Sequence, residues 1–266
     1  MEARIDRPSE VGEYDHALQT LLQLLWGDGF LSPGGAEEIR HLLIGSDIRG
    51  CRVLDIGAAL GAVDQLLVRE HGAGSVIGID LDPALLRQMD ERVARAGLSD
   101  KISSRCVEPG PLPFPAASFD FVFSKDSIVQ IPDKPALFAE VYRVLRPGGR
   151  FIASDWLRGG TGPYSPQMLE YFRLEGIAYS MASLDESVAA LGEAGFGAID
   201  VLDRNHWYLS LAGRELASLQ GHLNQLVVER LGADKAAHFV ANWRQLVLVL
   251  ERGELRPCHI KATRPA

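Results

Sequence analysis

The sequence predicts an α/β fold built on a doubly wound parallel sheet, with a helical lid before it and a helical insertion late in the chain. Three observations carry that prediction. Short apolar strands alternate with helices of about a dozen residues between positions 52 and 156, the pattern of βαβ units. The first strand ends in a glycine turn, VLDIGAALG (53–61), and the second ends in an acid, Asp80. Taken in order, Leu18, Leu21, Leu22 and Leu25 recur at helical spacing and predict an amphipathic helix over 14–26. GDGFLSPGG breaks it, and 36–44 suits a second short helix. CRVLDIG reads as a strand, 63–71 as a helix, SVIGID as a strand and 83–97 as a helix. Strands follow at 102–106 and at FDFVFS (119–124), then a helix over 134–145 that stops at RPGG. RFIASDW is the strand after that turn. A helix over 183–195, a strand over 198–202, a mostly helical stretch over 207–254 and a closing strand in CHIKATR complete the reading. No internal repeat or low-complexity linker interrupts it.

Composition narrows the function classes. The 266 residues are 47% apolar and 23% charged, so the chain buries a core and is not a disordered polymer. With 27 Lys and Arg against 35 Asp and Glu, the net charge of −8 argues against a partner held by its phosphate backbone. No apolar run reaches the ~18 residues of a membrane span, and MEARIDRPSE carries no secretory signal pattern. Cys51, Cys106 and Cys258 are odd in number, far apart and without CxxC spacing. A reduced, cytoplasmic protein is therefore expected, without a disulfide framework or zinc site. The seven histidines form no convincing metal pair, so no metal is expected.

The chemistry concentrates at the ends of the strands. A strand that delivers Asp55 and turns through Gly57 lets backbone N–H groups approach a ligand closely. A strand-to-helix turn that needs glycine for sterics alone would look the same. Asp80 follows by about 20 residues, the usual place for an acid that holds two ribose hydroxyls, although it could instead cap the helix that begins at DPALL. The dinucleotide fingerprint is not met, because position 59 is Ala. A carboxylate beside the turn, no demand for pyrophosphate and a ribose-binding acid point to a nucleoside with an amino-acid tail, as in S-adenosylmethionine. Glu108, after the third strand, can accept from an adenine amino group, and Leu81 can pack on the adenine face. Ala58, Gly61, Pro109, Ser124 and Lys125 complete the expected cofactor-binding set.

With these motifs in order, residues 52–156 resemble the class I S-adenosylmethionine-dependent methyltransferases, which implies a Rossmann-like sheet. The resemblance divides the single domain 1–266 into a lid (1–45), a cofactor-binding core (46–156) and cap helices with the remaining strands (157–266). A narrower resemblance joins YDHALQTLLQLLWGDGFLSPGG to FSKDSIVQIPDKPALFAEVYRVLRPGG and HIKATRP. Those segments are similar to the phosphoethanolamine N-methyltransferases of plants, nematodes and protozoa. In that family a lid Tyr and a His after the fourth strand form a catalytic pair, and lid-loop residues touch the cofactor. The resemblance places the Tyr on Tyr14, the loop residues on Leu31 and Ser32, and a catalytic Asp on Asp126.

The His position holds Gln130, which hydrogen-bonds but is no base near neutral pH. The family also grips phosphate with Tyr, Arg and Lys. Here Trp156 and Tyr179 take aromatic positions, while the Arg and Lys positions fall on Ile177 and Leu246. A phosphate dianion would be poorly compensated there, so phosphoethanolamine is not the expected substrate. Trp156, Tyr164, Tyr171, Tyr179 and Trp207 could wall an acceptor pocket or simply form a cap core, and His206 could stand in for the absent base. The expectation is methylation, on nitrogen, of a small amine or amino acid derivative, with O- and S-acceptors open. No nucleic acid or membrane partner is expected, and the chain is a monomer or homodimer. Two rivals stand beside it: an enzyme that consumes S-adenosylmethionine itself and releases methylthioadenosine, and a catalytically silent S-adenosylmethionine-binding subunit.

Overall fold

The sheet assembles around β1 (Arg52–Ile56), because Val53, Leu54, Asp55 and Ile56 are all buried. A strand covered on both faces reads as a nearly continuous apolar run, which is what this segment shows. The structure, a computed structural model, describes residues 14–266. The expected lid therefore lies partly outside the described residues. β1 pairs in parallel with β2 (Ser75–Asp80) on one side and β4 (Phe119–Lys125) on the other. β3 (Ile102–Cys106) extends the β2 edge, and β5 (Leu145–Arg158) extends the β4 edge. The last two strands are β6 (Gly197–Asp203) and β7 (Leu255–Thr263), and the order is β3-β2-β1-β4-β5-β7-β6.

The sheet is mixed and not wholly parallel, since β7 runs antiparallel to both β5 and β6. The three helices between β6 and β7, namely α8 (Asn205–Gln220), α9 (Asn224–Leu231) and α10 (Ala233–Glu251), return the chain to the end it left. Such a connection delivers an antiparallel neighbour, where a crossover along the face would deliver a parallel one.

Three apolar cores result. On one face α2 (Gly35–Leu42), α3 (Ala62–Arg69) and α4 (Pro83–Arg95) bury Ile39, Leu67 and Met89. On the other, α5 (Lys134–Val144) and α7 (Leu184–Glu193) bury Phe138 and Leu191. The third core lies beyond the sheet, where α1 (His16–Trp26) joins α6 (Pro166–Glu175), α8 and α10 through Leu21, Leu22, Tyr171, Tyr208 and Trp243. The lid helix is thus part of the cap core.

Two local readings change. RPGG is not a free turn after α5, because β5 begins at Leu145 and runs through it. Gly148 bends there at φ 78°, and the Arg264 guanidinium gathers the carbonyls of Tyr142, Arg143 and Leu145 that the helix leaves open. α6 was not foreseen, although Ser165 caps it by accepting from the Met168 amide (3.1 Å) and Pro166 occupies its first turn.

Candidate cofactor and acceptor site

The C-terminal ends of β1, β2, β3 and β4 lie side by side, the place where open α/β sheets bind ligands. At the end of β1 the chain turns through Gly57 (φ 81°) and Ala59 (φ 47°) to Gly61 (φ 74°), which opens α3. A Cβ on Gly57 would stand 2.4 Å from the Ser127 Cβ, and one on Gly61 2.6 Å from the Met89 Cγ. Both glycines are required by left-handed backbone and by space. The Gly57 and Ala58 amides donate to the Ile79 carbonyl at 2.8 and 3.1 Å, which binds the turn to β2. Asp80 completes this junction: one carboxylate oxygen accepts from the Ala59 amide and the other from the Asp82 amide, each at 3.0 Å. Burial raises the Asp80 pKa, against those backbone donors.

Asp55 is 2% exposed, and its Oδ1 has no hydrogen-bond partner among the described residues. Beside it lies Asp64 of α3, fully buried with neither carboxylate oxygen paired among the described residues. Burial, then mutual repulsion, pushes the Asp55 pKa well up, and burial lifts that of Asp64 to about 7. Asp64 was missed because an acid in the first turn of a helix already has a plain reason, the helix dipole. Leu81 is 57% exposed immediately after Asp80, an apolar surface at a polar strand end. Glu108 and Pro109 are exposed in the loop after β3. An orphaned buried acceptor, a glycine cradle that admits no Cβ, an acid at the next strand end and an open apolar flank together fit a nucleoside carrying an ammonium.

The lid loop closes this side. Gly34 and Gly35 are forced, since a Cβ would meet the Trp207 ring at 2.4 Å and the Trp26 carbonyl at 2.2 Å. Leu31 packs on the cap core and Ser32 is half-buried. Arg92 of α4 reaches Asp28 at 2.7 Å and Gln23 at 2.7 Å, which ties the loop to the core. Glu215 of α8 accepts from the indoles of Trp26 (2.6 Å) and Trp243 (2.9 Å) and so fastens α1 to α10; burial lifts its pKa to about 7.

At the end of β4 the side chains divide into framework and pocket. Ser124 is fully buried and donates to the Ile56 carbonyl at 2.9 Å, so it stitches β4 to β1. Asp126 stands in the left-handed region (φ 57°), with its side chain 5% exposed. It pairs with Lys125 and accepts from the Ser154 hydroxyl at 2.9 Å. Burial raises its pKa while Lys125 opposes the rise. Lys125 in turn donates to the Tyr208 hydroxyl at 3.1 Å. Behind this group Glu38 of α2, entirely buried, accepts from Arg204 (2.7 Å) and meets His259 Nε2 at 2.6 Å. Burial pushes the Glu38 pKa up, but His259 and Arg204 outweigh it and the net shift is downward. No spacing in the sequence announces this connection, because its members come from three distant segments.

Gln130 ends a short 3-10 turn (Ile128–Gln130) and is half-buried. The Ser180 amide donates to the Val129 carbonyl at 2.7 Å, so the 177–181 segment runs beside that turn. Tyr179 there stacks on Tyr171 (centroids 6.1 Å apart) and contacts Phe172 (5.1 Å). Tyr14, just before the lid helix, packs into the same core; burial is what chiefly raises the pKa values of Tyr171 and Tyr179, and the nearby Tyr14 adds to the rise. Trp156 meets Tyr208 edge-on at 5.1 Å, deeper in the cap. Ile177 and Leu246 are both buried. His206 is not brought to this group: it is exposed on α8, while the neighbouring Tyr208 turns inward. Glu175 and Asn242, which join the tyrosines, were not foreseen.

The family model described as a methyltransferase domain matches residues 54–153, from β1 through the glycine turn and Asp80 into β5. Over those residues the chain is a methyltransferase domain of the class I S-adenosylmethionine-dependent kind. That family uses S-adenosylmethionine. A phosphoethanolamine N-methyltransferase of Arabidopsis thaliana is 31% identical to this methyltransferase over 193 residues, covering 72% of the chain and 38% of the relative. A solved phosphoethanolamine N-methyltransferase of Haemonchus contortus matches with a TM-score of 0.86 at 23% identity, over 95% of this chain and 59% of that one. A putative sarcosine dimethylglycine methyltransferase from Galdieria sulphuraria matches with a TM-score of 0.74 at 21% identity, over 86% and 85%. Those two likenesses show the fold. The chain spans 38–46% of the length of the plant relatives it matches. Among the described residues no helix is long and apolar enough to cross a membrane, and no group of three or more His, Cys, Asp or Glu gathers to hold a metal.

Proposed function

We propose that this methyltransferase N-methylates a small amine or amino acid derivative held between the lid and the cap. The observation that carries the reading is the junction of Tyr14 with Tyr171 and Tyr179. It joins a lid side chain to two cap rings, and the segment that carries Tyr179 runs beside the turn that ends at Gln130. When bound, S-adenosylmethionine supplies an electrophilic methyl group. Asp80 holds the ribose, the Gly57–Gly61 turn admits the amino-acid tail, and Asp55 accepts from its ammonium. Leu31 and Ser32 of the lid loop cover it, with Leu81 and Glu108 at the adenine end. Tyr14 orients the acceptor nitrogen through its hydroxyl, and Gln130 presents an amide where no base is needed for an amine that enters neutral. Asp126, paired with Lys125 and the Ser154 hydroxyl, helps to orient the amine, and the product leaves as the methylated ammonium. Closing the aromatic wall excludes water, and proximity supplies most of the acceleration.

A panel of amines, amino acids and hydroxy acids, assayed for S-adenosylhomocysteine release beside a no-acceptor control, tests this. Acceptor-dependent S-adenosylhomocysteine and an N-methyl product are expected. Methylthioadenosine without an acceptor, or cofactor binding with no turnover, would overturn it.

A further inference from the structure

Among the described residues, the cap core holds a carboxylate with no cation to balance it. Glu175 is the last residue of α6, and its side chain lies among Tyr171, Tyr179 and Asn242. The Asn242 amide donates to Glu175 Oε2, and the Tyr179 hydroxyl faces the same carboxylate. Among the described residues Glu175 makes no ion pair, whereas its neighbour Arg173 is taken by exposed Glu170. A second acceptor points the same way: Asn242 is 3% exposed, and its Oδ1 has no partner among the described residues. Around the two acceptors the walls are aromatic or aliphatic. Tyr171 is 3% exposed, Ile177 lies two residues beyond Glu175, and Leu246 lies one helical turn beyond Asn242.

Among the described residues Glu175 is half-buried with no cation beside it, and the Asn242 Oδ1 is buried with no donor; both are costly unless a ligand brings a charged donor. The rings add the second half of the argument, because tyrosine faces attract a cation at close range. An anion placed there would meet a carboxylate in place of a positive charge.

We propose that Glu175, Asn242, Tyr171 and Tyr179 form a subsite for a protonated amino group at the far end of the acceptor. The acceptor class is then a short aliphatic diamine: one nitrogen reacts near Tyr14 and the other is bound as an ammonium on Glu175. This rests on the N-methyltransferase reading above and names the substrate class within it. The ammonium donates to Glu175 and to the Asn242 Oδ1, and its remaining face lies against the tyrosine rings. The subsite also separates the reacting nitrogen from the anchoring one by their surroundings, since only the second meets a carboxylate bare of other cations.

The test is calorimetric titration of 1,3-diaminopropane, n-propylamine and phosphoethanolamine into protein saturated with S-adenosylhomocysteine, repeated with Glu175→Gln. The wild-type protein is expected to prefer the diamine to the monoamine by about tenfold or more, and to bind phosphoethanolamine least. Glu175→Gln is expected to erase that preference while S-adenosylhomocysteine affinity is retained, which shows that the variant is folded. Equal affinities for diamine and monoamine in the wild-type protein overturn the subsite without recourse to any variant, as does a preference for phosphoethanolamine. Turnover assays keep the two readings apart. Diamine preference without S-adenosylhomocysteine release sinks the N-methyltransferase reading and leaves the subsite standing; release from monoamines with no diamine preference does the reverse.

Discussion

Replacing Asp80 by alanine should strip this methyltransferase of cofactor affinity and leave it folded. In the structure each Asp80 oxygen accepts from one backbone amide, Ala59 and Asp82, both at 3.0 Å. Such contacts net about 1 kcal/mol each, so the truncation lowers stability by about 2 kcal/mol. For a chain of this size that is a Tm fall of roughly 4–8 °C. The cofactor loses more. Two ribose hydroxyls on a charged acceptor contribute about 1.5–3 kcal/mol apiece. A loss of about 3–6 kcal/mol weakens binding by roughly 100- to 20,000-fold. Asp80→Asn keeps one acceptor oxygen and should fall between. Calorimetry with S-adenosylhomocysteine, paired with thermal melting of each variant, reads both quantities. Because burial raises the Asp80 pKa, the wild-type affinity should weaken on acidification while the alanine variant stays flat. A dissociation constant for Asp80→Ala within about threefold of wild type would refute the ribose role. So would lost binding that merely tracks a collapsed melt.

Tyr14→Phe should spare cofactor affinity and depress turnover by about tenfold or more in a steady-state S-adenosylhomocysteine assay; equal rates would remove the Tyr14 hydroxyl from the mechanism. Glu38→Gln leaves Arg204 and His259 without their buried counter-charge and should cost about 3–5 kcal/mol in urea unfolding. The downward shift of the Glu38 pKa means that its contribution is present above the ordinary value of 4.5 and fades as pH falls. Glu215 works in the opposite sense. Its carboxyl is raised from 4.5 to about 7, so the folded state holds an extra proton between those values, and this residue's contribution weakens as pH rises through that window. Glu215→Gln should therefore flatten the pH dependence of unfolding between pH 4.5 and 7, and an unchanged slope would assign it elsewhere.

The cofactor half of the candidate site was legible because its elements are local. Asp55 to Gly61 is one strand and one turn, and Asp80 ends the adjacent strand, so spacing alone sets them side by side. Glycine reports a backbone requirement directly, and Gly57 and Gly61 are needed wherever the rest of the chain goes. The acceptor half was legible only in part. Tyr14 and Tyr179 were named through a resemblance, while Glu175 and Asn242, 67 residues apart, carry no pattern that joins them. His206 shows the converse: two aromatic neighbours in RNHWY argued for a pocket, yet helical geometry turns Tyr208 inward and leaves His206 in solvent.

The strand ladder, glycine turns, helix caps and net acidity follow from near-neighbour physics, so the sequence by itself determined the α/β sheet and the cofactor end. Tertiary structure alone decided which charges are balanced. Asp126 is held by its neighbour Lys125 and by Ser154, Glu38 by Arg204 and His259, and Glu175 by no cation among the described residues. Coulomb and desolvation energies depend on distances through space, and those distances exist only once α6, α8 and α10 have closed over the end of the sheet.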